Sequence, residues 1–315
     1  MAEIGTNLSK ASQLLKNNEL VAIPTETVYG LAGNALEPTA IAKIYTTKDR
    51  PSFDPLITHV KNIADASKLV YPFPKLAHRL AEQFWPGPLT LLLPKRKHIP
   101  DMLTSGLEKM AIRVPDHPIT LELLKKINFP LAAPSANPFG YISPTTSGHV
   151  DHQLGDKIPY ILEGGPAQIG LESTIASIEG KVIYIHRLGG LDLEKLQTFG
   201  DVIVQNSQGG NPNVPGQLDS HYAPKKKFII GELDDLLLKY SNSKIGILSF
   251  SKIYSNSIKN IVLSKNGDVN EAAENFFSAL RTLDTEDIDL ILGEYVPKKG
   301  IGKAINDRLK RATNN

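Results

Sequence analysis

The chain has 315 residues, of which 41% are hydrophobic and 22% charged, with a formal net charge of +2 and no cysteine. This length suffices for two domains with their own cores, and the lack of cysteine excludes disulfides and thiolate chemistry. The small charge does not by itself indicate nucleic-acid binding, no apolar run approaches membrane-spanning length, and the N-terminus lacks a signal-peptide core, so we expect a cytoplasmic protein with no membrane contact.

The first 205 residues alternate strands and helices irregularly. Apolar spacing from Leu8 to Leu15 predicts an amphipathic helix, and the apolar run 20–23 predicts a buried strand that ends at Pro24. A helix is predicted over 38–47, with Pro38 in its first turn. Further strands are predicted at 56–60, 90–93, 110–114, 131–133, 174–177 and 182–185, and further helices at 62–70, 73–84 and 118–127. This mixture favours an α/β or α+β domain around one twisted sheet.

The stretch 206–224 is rich in Gly, Pro, Asn and Ser, and we interpret it as an interdomain linker. The elements behind it alternate regularly, which predicts a small Rossmann-like parallel sheet in a second domain over 225–315. Its strands are predicted at 228–230, 245–250, 258–263 and 288–292, and its helices at 233–240, 269–283 and 301–312.

Polar residues follow the strand that ends at Pro24, where packing alone would favour apolar ones. Hydroxyls and a carboxylate come directly after Pro24, and Lys48 and Arg50 follow the 38–47 helix. A lysine offers a compact charge and an arginine a planar fork, so the pair on a proline-stiffened loop suits a polyphosphate or a carboxylate. The alternative is an exposed loop with ordinary surface cations. In either case we expect an exposed Arg50 that contributes little to stability.

Several other sites are disfavoured by the sequence. It contains no P-loop motif, and Gly300-Ile301-Gly302 is better explained as a tight turn than as a phosphate site. His149 and His152 can share a helical face, but no third ligand stands near them, so a permanent zinc ion is not expected. No nucleophile elbow or Ser-His-Asp order supports covalent hydrolase chemistry.

Four separated motifs carry a family resemblance. They are PTETVYGL at 24–31, KxRPxxxPL at 48–56, APSAN at 133–137 and GLEST at 170–174. In this order they resemble the YrdC-like family of threonylcarbamoyl-AMP synthases, and HYAP at 221–224 with the domain behind it resembles the long form of these enzymes. The resemblance implies an α/β (α+β) YrdC-like twisted-sheet domain over 1–205 with a positively charged concave face, the linker 206–224, and the Rossmann-like domain.

The resemblance also implies a nucleotidyltransferase reaction. L-Threonine, bicarbonate or CO2 and ATP become L-threonylcarbamoyl-AMP and pyrophosphate, and a separate transferase moves the threonylcarbamoyl group to the adenosine next to the anticodon of tRNA. Mg²⁺ is expected to enter with ATP, with no permanent cofactor and no covalent protein nucleophile. The protein's task is then to align two anionic reactants, stabilise the transferring phosphoryl group and exclude water.

The site residues implied by the resemblance fall into two groups. The L-threonine group comprises Thr27, His59, Arg113, Ser135 and Ser173. The ATP group comprises Lys48, Arg50, Asp54, Asn137, Ser143, Thr145, Arg187 and Tyr222. At the position of Asp54 the family commonly has asparagine, and a carboxylate there would repel phosphate unless it binds magnesium or a cation. The linker segment 217–220 lacks the usual basic and aromatic residues, so its closure as a lid over the site would be tuned differently.

Two alternative functions stay open at this stage. The concave face of the YrdC-like fold resembles a double-stranded RNA binder, so the chain could be an RNA- or tRNA-binding module without synthase activity, or a synthase with a direct RNA contact. Retention of the threonine contacts argues against a pure binder. Carbamoyl transfer onto another acceptor is the second alternative, and the larger proteins that perform it carry additional domains that do not fit in this chain.

Overall fold

The structure is a computed structural model that describes residues 1–205, 214–216, 222–255 and 257–313. The chain divides into two compact units. The first comprises Met1–Phe139, Pro144–Gln168 and Glu172–Gln217, and the second comprises Gly140–Ser143, Ile169–Leu171 and Leu218–Asn315. Most of the predicted linker 206–224 lies outside the described residues, so the boundaries 1–205, 206–224 and 225–315 stay predictions. Within the described ranges, no helix is both long and apolar enough to cross a bilayer.

The first unit is built on an eleven-stranded mixed sheet. Its strands are β1 (Glu3–Gly5), β2 (Val21–Ile23), β3 (Gly30–Asn34), β4 (Ile57–His59), β5 (Leu89–Pro94), β6 (Lys109–Arg113), β7 (Leu131–Ala132), β8 (Tyr160–Leu162), β9 (Thr174–Glu179), β10 (Val182–Arg187) and β11 (Asp201–Val204). Their order across the sheet is β1-β8-β2-β3-β7-β4-β6-β5-β9-β10-β11. This sheet confirms the predicted α/β (α+β) class for the first part of the chain.

Helices pack on this sheet and close its core. They are α1 (Leu8–Lys16), α2 (Pro38–Lys48), α3 (Ile63–Ser67), α4 (Lys75–Phe84), α5 (Pro118–Lys126), α6 (Ser147–Leu154) and α7 (Leu193–Gln197), with a 3-10 helix at Asp101–Thr104. Helix α2 begins with Pro38, whose missing N–H is not needed in a first turn, and ends at Asp49 in the left-handed region with φ 53°. Lys48 is therefore the last residue of the helix, and Arg50 begins the loop after Asp49.

The pairing of β4 with β6 sets the position of two predicted site residues. The two strands run parallel, and His59 lies opposite Arg113 at their carboxyl ends. Strand β5 pairs with β6 on one side and with β9 on the other. Gly30 at the start of β3 forms a bridge with Ser135. The polar ends of separate strands therefore meet at one part of the sheet.

Some elements were missed because their sequences give weak signals. Strand β3 contains two glycines, and Gly33 is closely packed, because a Cβ there would lie 3.0 Å from the Leu20 side chain and 3.2 Å from Ile44, which would have to shift slightly. Helix α6 reads as a polar loop in sequence, yet Thr146 caps it by accepting a hydrogen bond from the His149 N–H at 3.2 Å. Strands β1, β8 and β11 and helix α7 are too short to stand out by periodicity.

The second unit contains the predicted parallel sheet. Its strands are β12 (Lys227–Ile230), β13 (Ile245–Ser249), β14 (Lys259–Val262) and β15 (Leu290–Gly293), and its helices are α8 (Leu233–Lys239), α9 (Val269–Thr285) and α10 (Gly302–Ala312). The strand order is β12-β15-β13-β14, and all three pairings are parallel. The Rossmann-like prediction is confirmed. A Cβ at Gly302 would lie 2.1 Å from the Pro297 carbonyl oxygen, so the glycine is explained by this close turn.

Candidate functional site

Arg113 is the centre of a buried cluster in the first unit. Its Nε donates to His59 Nε2 at 3.0 Å, Nη2 donates to Thr27 Oγ1 at 3.0 Å, and Nη1 donates to Glu26 Oε1 at 3.3 Å. The four residues are at most 3% exposed. We call Glu26, Thr27, His59 and Arg113 the Arg113 cluster. Each of the three nitrogens of the guanidinium thus meets a polar side chain.

The hydroxyl of Thr27 is fixed by a local turn. Thr25 Oγ1 accepts hydrogen bonds from the Thr27 and Val28 N–H groups, both at 3.2 Å, and donates to the Val28 carbonyl at 2.6 Å. The Thr25 hydroxyl proton is donated to the Val28 carbonyl, so Thr25 cannot also donate to Thr27. Thr27 Oγ1 is therefore the donor to Thr25 Oγ1, and the two oxygens are 2.8 Å apart. Thr27 therefore donates to Thr25 and accepts from Arg113, so Thr25 rather than Thr27 is the turn residue.

The contacts of His59 also settle its charge. An arginine N–H always donates, so the Nε2 atom that accepts from Arg113 carries no proton. Burial, and then the charge of Arg113, hold the pKa of His59 well below its usual value. Burial also lowers the pKa of Arg113, and Glu26 opposes this shift. The imidazole of His59 is therefore neutral, and Arg113 is the cation that pairs with Glu26.

Lys48 and Arg50 form a second buried group with Asp54, which we call the Arg50 cluster. Lys48 Nζ donates to the carbonyl oxygens of Ser135, at 2.6 Å, and of Asn137. Arg50 Nε donates to the Asp54 carbonyl at 3.0 Å, and Nη2 donates to the Pro55 carbonyl at 2.8 Å. Nη2 also lies 2.9 Å from Asp54 Oδ2 in an ion pair.

The sequence predicts an exposed Arg50 on a surface loop, and the structure shows that this prediction is wrong. Lys48 is 1% exposed, Arg50 8% and Asp54 0%, since the loop 50–55 folds over the guanidinium of Arg50, which also stacks on Phe139 with its carbon 5.8 Å from the ring centre. Burial, and then Arg50, hold the pKa of Lys48 well below its usual value. Burial raises the pKa of Asp54, while Arg50, Lys48 and Arg187 act in the opposite direction. The Asp54 carboxylate is thus paired with a cation of the protein itself, Arg50.

Arg187 and Ser173 form a third buried contact. Arg187 Nη2 donates to the Ser173 carbonyl at 2.9 Å and to its Oγ at 3.1 Å, and Nη1 donates to the Pro215 carbonyl at 3.1 Å. Ser173 Oγ lies 2.7 Å from Thr90 Oγ1 on β5. The charge of Arg187 acts to lower the pKa of Asp54, so Arg187 lies within electrostatic reach of the Arg50 cluster.

An apolar patch connects the groups on one face of the sheet. Ile57, Leu92, Ala111 and Ile175, from β4, β5, β6 and β9, pack together with Val214. Residues two apart on a strand share a face, so His59 and Arg113 lie on the same side as Ile57 and Ala111. Val214 precedes Pro215, which accepts from Arg187. The Arg113 cluster and Arg187 therefore lie on the same face.

The remaining predicted residues of the first unit have other contacts. Ser135 is half-buried and reaches Lys48 through its carbonyl, and the Asn137 side chain donates to the Pro138 carbonyl at 2.8 Å. The Thr145 N–H donates to His149 Nδ1 at 3.2 Å. Within the ranges that the structure describes, no group of three or more His, Cys, Asp or Glu side chains is placed to hold a metal ion.

Ser143 and Tyr222 lie in the second unit. The Ser143 carbonyl accepts from Arg281 Nε at 3.2 Å, and Tyr222 is 1% exposed, stacked on Phe277 with ring centres 5.6 Å apart. The Arg308 guanidinium carbon lies 4.8 Å from the Tyr222 ring centre. Their roles as ATP contacts stay predictions, and His221 and the segment 217–220 lie outside the described residues.

Glu26 belongs to the Arg113 cluster, although it is in neither of the two groups of site residues predicted from the sequence. Its Oε1 accepts from Arg113, and its Oε2 accepts from the Asp116 N–H at 3.0 Å. A signal for it exists in the sequence, because an arginine inside the apolar strand of 110–114 requires a buried partner and Glu26 adjoins Thr27. Thr90, which contacts Ser173, and Phe139, which contacts Arg50, have no sequence feature that would have predicted their place in the site.

Comparison with known proteins places the whole chain. Residues 13–189 match the Sua5/YciO/YrdC family, described as "Telomere recombination", and residues 190–314 match the "Threonylcarbamoyl-AMP synthase, C-terminal domain". A threonylcarbamoyl-AMP synthase from Bacillus subtilis is 38% identical over 98% of this chain and 94% of its own length, and one from Pyrococcus abyssi is 37% identical over 96% and 93%.

Solved structures agree with this placement. The crystal structure of P. abyssi Sua5 complexed with L-threonine has a TM-score of 0.93 and 34% identity, covering 99% of this chain and 97% of that one. E. coli YciO, with a TM-score of 0.53 and 19% identity over 60% of this chain and 96% of its own, shares the fold alone. The chain belongs to the Sua5/YciO/YrdC family, in the long form that carries a threonylcarbamoyl-AMP synthase C-terminal domain.

Proposed function

We propose that this chain synthesises L-threonylcarbamoyl-AMP and pyrophosphate from L-threonine, bicarbonate or CO2, and ATP. The observation that carries the proposal is the placement of the Arg113 cluster and Arg187 on one face of the sheet, with the buried cations Lys48, Arg50 and Arg187 all acting on one carboxylate, Asp54. The related P. abyssi protein was crystallised with L-threonine, which supports L-threonine as the substrate. This arrangement suits one amino-acid anion beside a polyphosphate.

The reaction needs orientation rather than a protein nucleophile. The threonine nitrogen forms a bond to the carbon of CO2 and loses a proton, and a carbamate oxygen then attacks the α-phosphorus of ATP. The bond from that phosphorus to the bridging oxygen breaks, and pyrophosphate leaves. Thr27, His59 and Arg113 orient the threonine, with Ser135 and Ser173, while Lys48, Arg50 and Arg187 hold the phosphates, with Asn137 and Thr145.

Neutral His59 suits the threonine side of this site. A protonated imidazole would add a second buried positive charge beside Arg113 and could no longer accept a hydrogen bond from Arg113 Nε. Because Arg113 donates to Nε2, the site keeps one cation for the carboxylate of the substrate.

Magnesium enters this scheme as part of the substrate, as MgATP. The acid nearest the phosphate-binding cations is Asp54, which pairs with Arg50. We therefore assign the Mg²⁺ ligands to the phosphate oxygens and water rather than to a protein cage, as is usual for this ion.

The product is a mixed anhydride that water destroys, so a second enzyme must consume it. We propose that a separate transferase passes the threonylcarbamoyl group to the adenosine next to the anticodon of tRNA, in the cytoplasm. The RNA-binding alternative and carbamoyl transfer to another acceptor are outcomes of the test below.

The test is pyrophosphate release from MgATP, with L-threonine and bicarbonate omitted in turn, while mass spectrometry follows threonylcarbamoyl-AMP. Release should require both substrates. Lys48→Met should abolish it, whereas Lys43→Met should not, because Lys43 is on the same helix but only half-buried and already paired with Glu19. Release without threonine would indicate another acceptor, and RNA binding without any release would favour the binding module.

A further inference from the structure

Asp54 is a carboxylate with few partners at a buried position. It is 0% exposed, and neither of its oxygens accepts a hydrogen bond of acceptable geometry among the described residues. Oδ2 nevertheless lies 2.9 Å from Arg50 Nη2, so the attraction between them comes from charge and not from an aligned N–H. A buried carboxylate without hydrogen bonds is costly, and it persists here because of the cations around it.

The surroundings of Asp54 are those of an anion subsite. Lys48 at the end of α2, Arg50 on the loop and Arg187 at the end of β10 all act on its charge. Tyr45 on α2 donates its hydroxyl to the Asp54 backbone carbonyl at 3.1 Å and leaves the carboxylate alone. The three cations carry a formal charge of +3 and face one negative charge.

The bonds of Arg50 show why a phosphate must compete with this carboxylate. Its Nε and Nη2 are held by the Asp54 and Pro55 carbonyls, and Nη2 also pairs with Asp54 Oδ2. Among the described residues, Nη1 makes no hydrogen bond, so it is the guanidinium nitrogen that stays available to an incoming anion. That anion would meet the field of the Asp54 carboxylate a few Å away.

We propose that Asp54 is a built-in competitor of the ATP phosphates for Arg50, and that ATP binding to this chain is coupled to uptake of a proton by Asp54. The inference rests on the proposed function. In the empty site the carboxylate balances the cations, and in the ATP complex the phosphates balance them and the carboxyl group becomes neutral.

The direction of the pH effect follows from the charges. Burial raises the pKa of Asp54, and the three cations restrain that rise. When phosphates neutralise the cations, the restraint is lost and the pKa rises further. The ATP complex then binds more protons than the empty protein, so the affinity for ATP increases as the pH falls.

The test compares the native protein with Asp54→Asn by calorimetry, using MgATP without L-threonine or bicarbonate so that no turnover occurs. Asparagine keeps the shape and removes the charge. At pH 7.5 the variant should bind MgATP about tenfold more tightly, because a unit charge a few Å from a phosphate changes the affinity by about that factor. Between pH 7.5 and pH 6.0 the affinity of the native protein should rise more steeply than that of the variant.

Asp49→Asn is the matched control. Asp49 lies on the same loop, is exposed and pairs with Lys157 at 3.3 Å, and asparagine tolerates its left-handed backbone. Its affinity and pH dependence should equal those of the native protein. Proton uptake by the native protein, measured in two buffers of different ionisation enthalpy, keeps the test valid even where Asp54→Asn does not fold.

The outcomes separate this inference from the proposed function. Equal or weaker binding by Asp54→Asn, parallel pH dependence of the two proteins, or binding by the native protein with no net proton uptake would each overturn the inference and leave the synthase proposal standing. No MgATP binding by the native protein at either pH would overturn the proposed function, and the inference with it.

Discussion

The Arg113 cluster and the Arg50 cluster both bury charged side chains in the first unit, but different groups of the protein pair with those charges. Arg113 is met on each of its nitrogens by a side chain, and Glu26 accepts from both Arg113 and the Asp116 N–H. Lys48 and Arg50 bind mainly backbone carbonyls, and the Asp54 carboxylate lacks aligned donors among the described residues. The guanidinium of Arg113 is therefore fully paired within the protein, although His59 Nδ1 is buried without a hydrogen-bond partner among the described residues, whereas the Arg50 cluster gains from an anion.

Removing Arg113 should be the most damaging single change in this comparison. Arg113→Met should lower the free energy of unfolding by about 3–5 kcal/mol, because it leaves Glu26 buried without its cation. Urea unfolding followed by circular dichroism gives the value. Arg96→Ala is the control, since Arg96 is exposed and lies over the Tyr71 ring at 5.1 Å. Equal effects of the two substitutions would show that the Arg113 cluster contributes no special stability.

Arg50→Ala should destabilise the protein less than Arg113→Met, by about 2 kcal/mol, since the stranded Asp54 can take up a proton, whereas Arg113→Met leaves Glu26 buried without its cation. Burial already raises the Asp54 pKa, and loss of Arg50 raises it further. A folded state that binds more protons than the unfolded state loses stability as the pH rises, so the loss should be larger at pH 8 than at pH 6.

The double variant Arg50→Ala/Asp54→Asn is the control for that prediction. It should recover part of the stability of Arg50→Ala at pH 8 but should not restore pyrophosphate release. A double variant no more stable than Arg50→Ala would show that the ion pair does not set the stability of the loop.

The fold was largely readable from the sequence, because strands such as β5 and β9 and the alternation in the second unit have strong apolar periodicity. The Arg113 cluster was readable in part. An arginine at the end of an apolar strand needs polar partners, but only the parallel register of β4 with β6 shows that His59 is one of them.

The burial of Arg50 could not be predicted, because it depends on how the loop 50–55 folds back on its own arginine. Local sequence there shows prolines and charges, which are equally typical of an exposed turn. The contact of Arg50 with Phe139 joins positions far apart in sequence, and no periodicity connects them.

The neutral state of His59 gives a smaller, pH-dependent effect. Its folded pKa lies well below its usual value of about 6.5, so below that pH the unfolded chain binds a proton that the folded chain refuses. Stability should fall by up to about 1.4 kcal/mol per pH unit from this group as the pH drops below 6.5. His59→Gln, which offers an oxygen to Arg113 in place of Nε2, should remove that part of the slope.

Urea unfolding at pH 7.5, 6.0 and 5.0 measures the slope. The control is His98→Gln, because His98 is exposed. Identical slopes in the native protein and in His59→Gln would mean that His59 is not held neutral, and the contrast between the fully paired Arg113 guanidinium and the Asp54 carboxylate would lose its electrostatic basis.

The smallest expected effect concerns Ser173, whose hydroxyl connects Thr90 with Arg187. Ser173→Ala should lower stability by only about 1 kcal/mol, because Arg187 keeps two bonds to the Ser173 carbonyl. Ser177→Ala is the matched control, since Ser177 is equally buried and its hydroxyl lies 2.7 Å from His186 Nε2. Both variants should lose similar stability, but only Ser173→Ala should raise the KM for L-threonine in the pyrophosphate-release assay. If the KM values of the two variants agree, the Ser173 hydroxyl serves the packing of Arg187 alone, and the threonine contacts end with the Arg113 cluster.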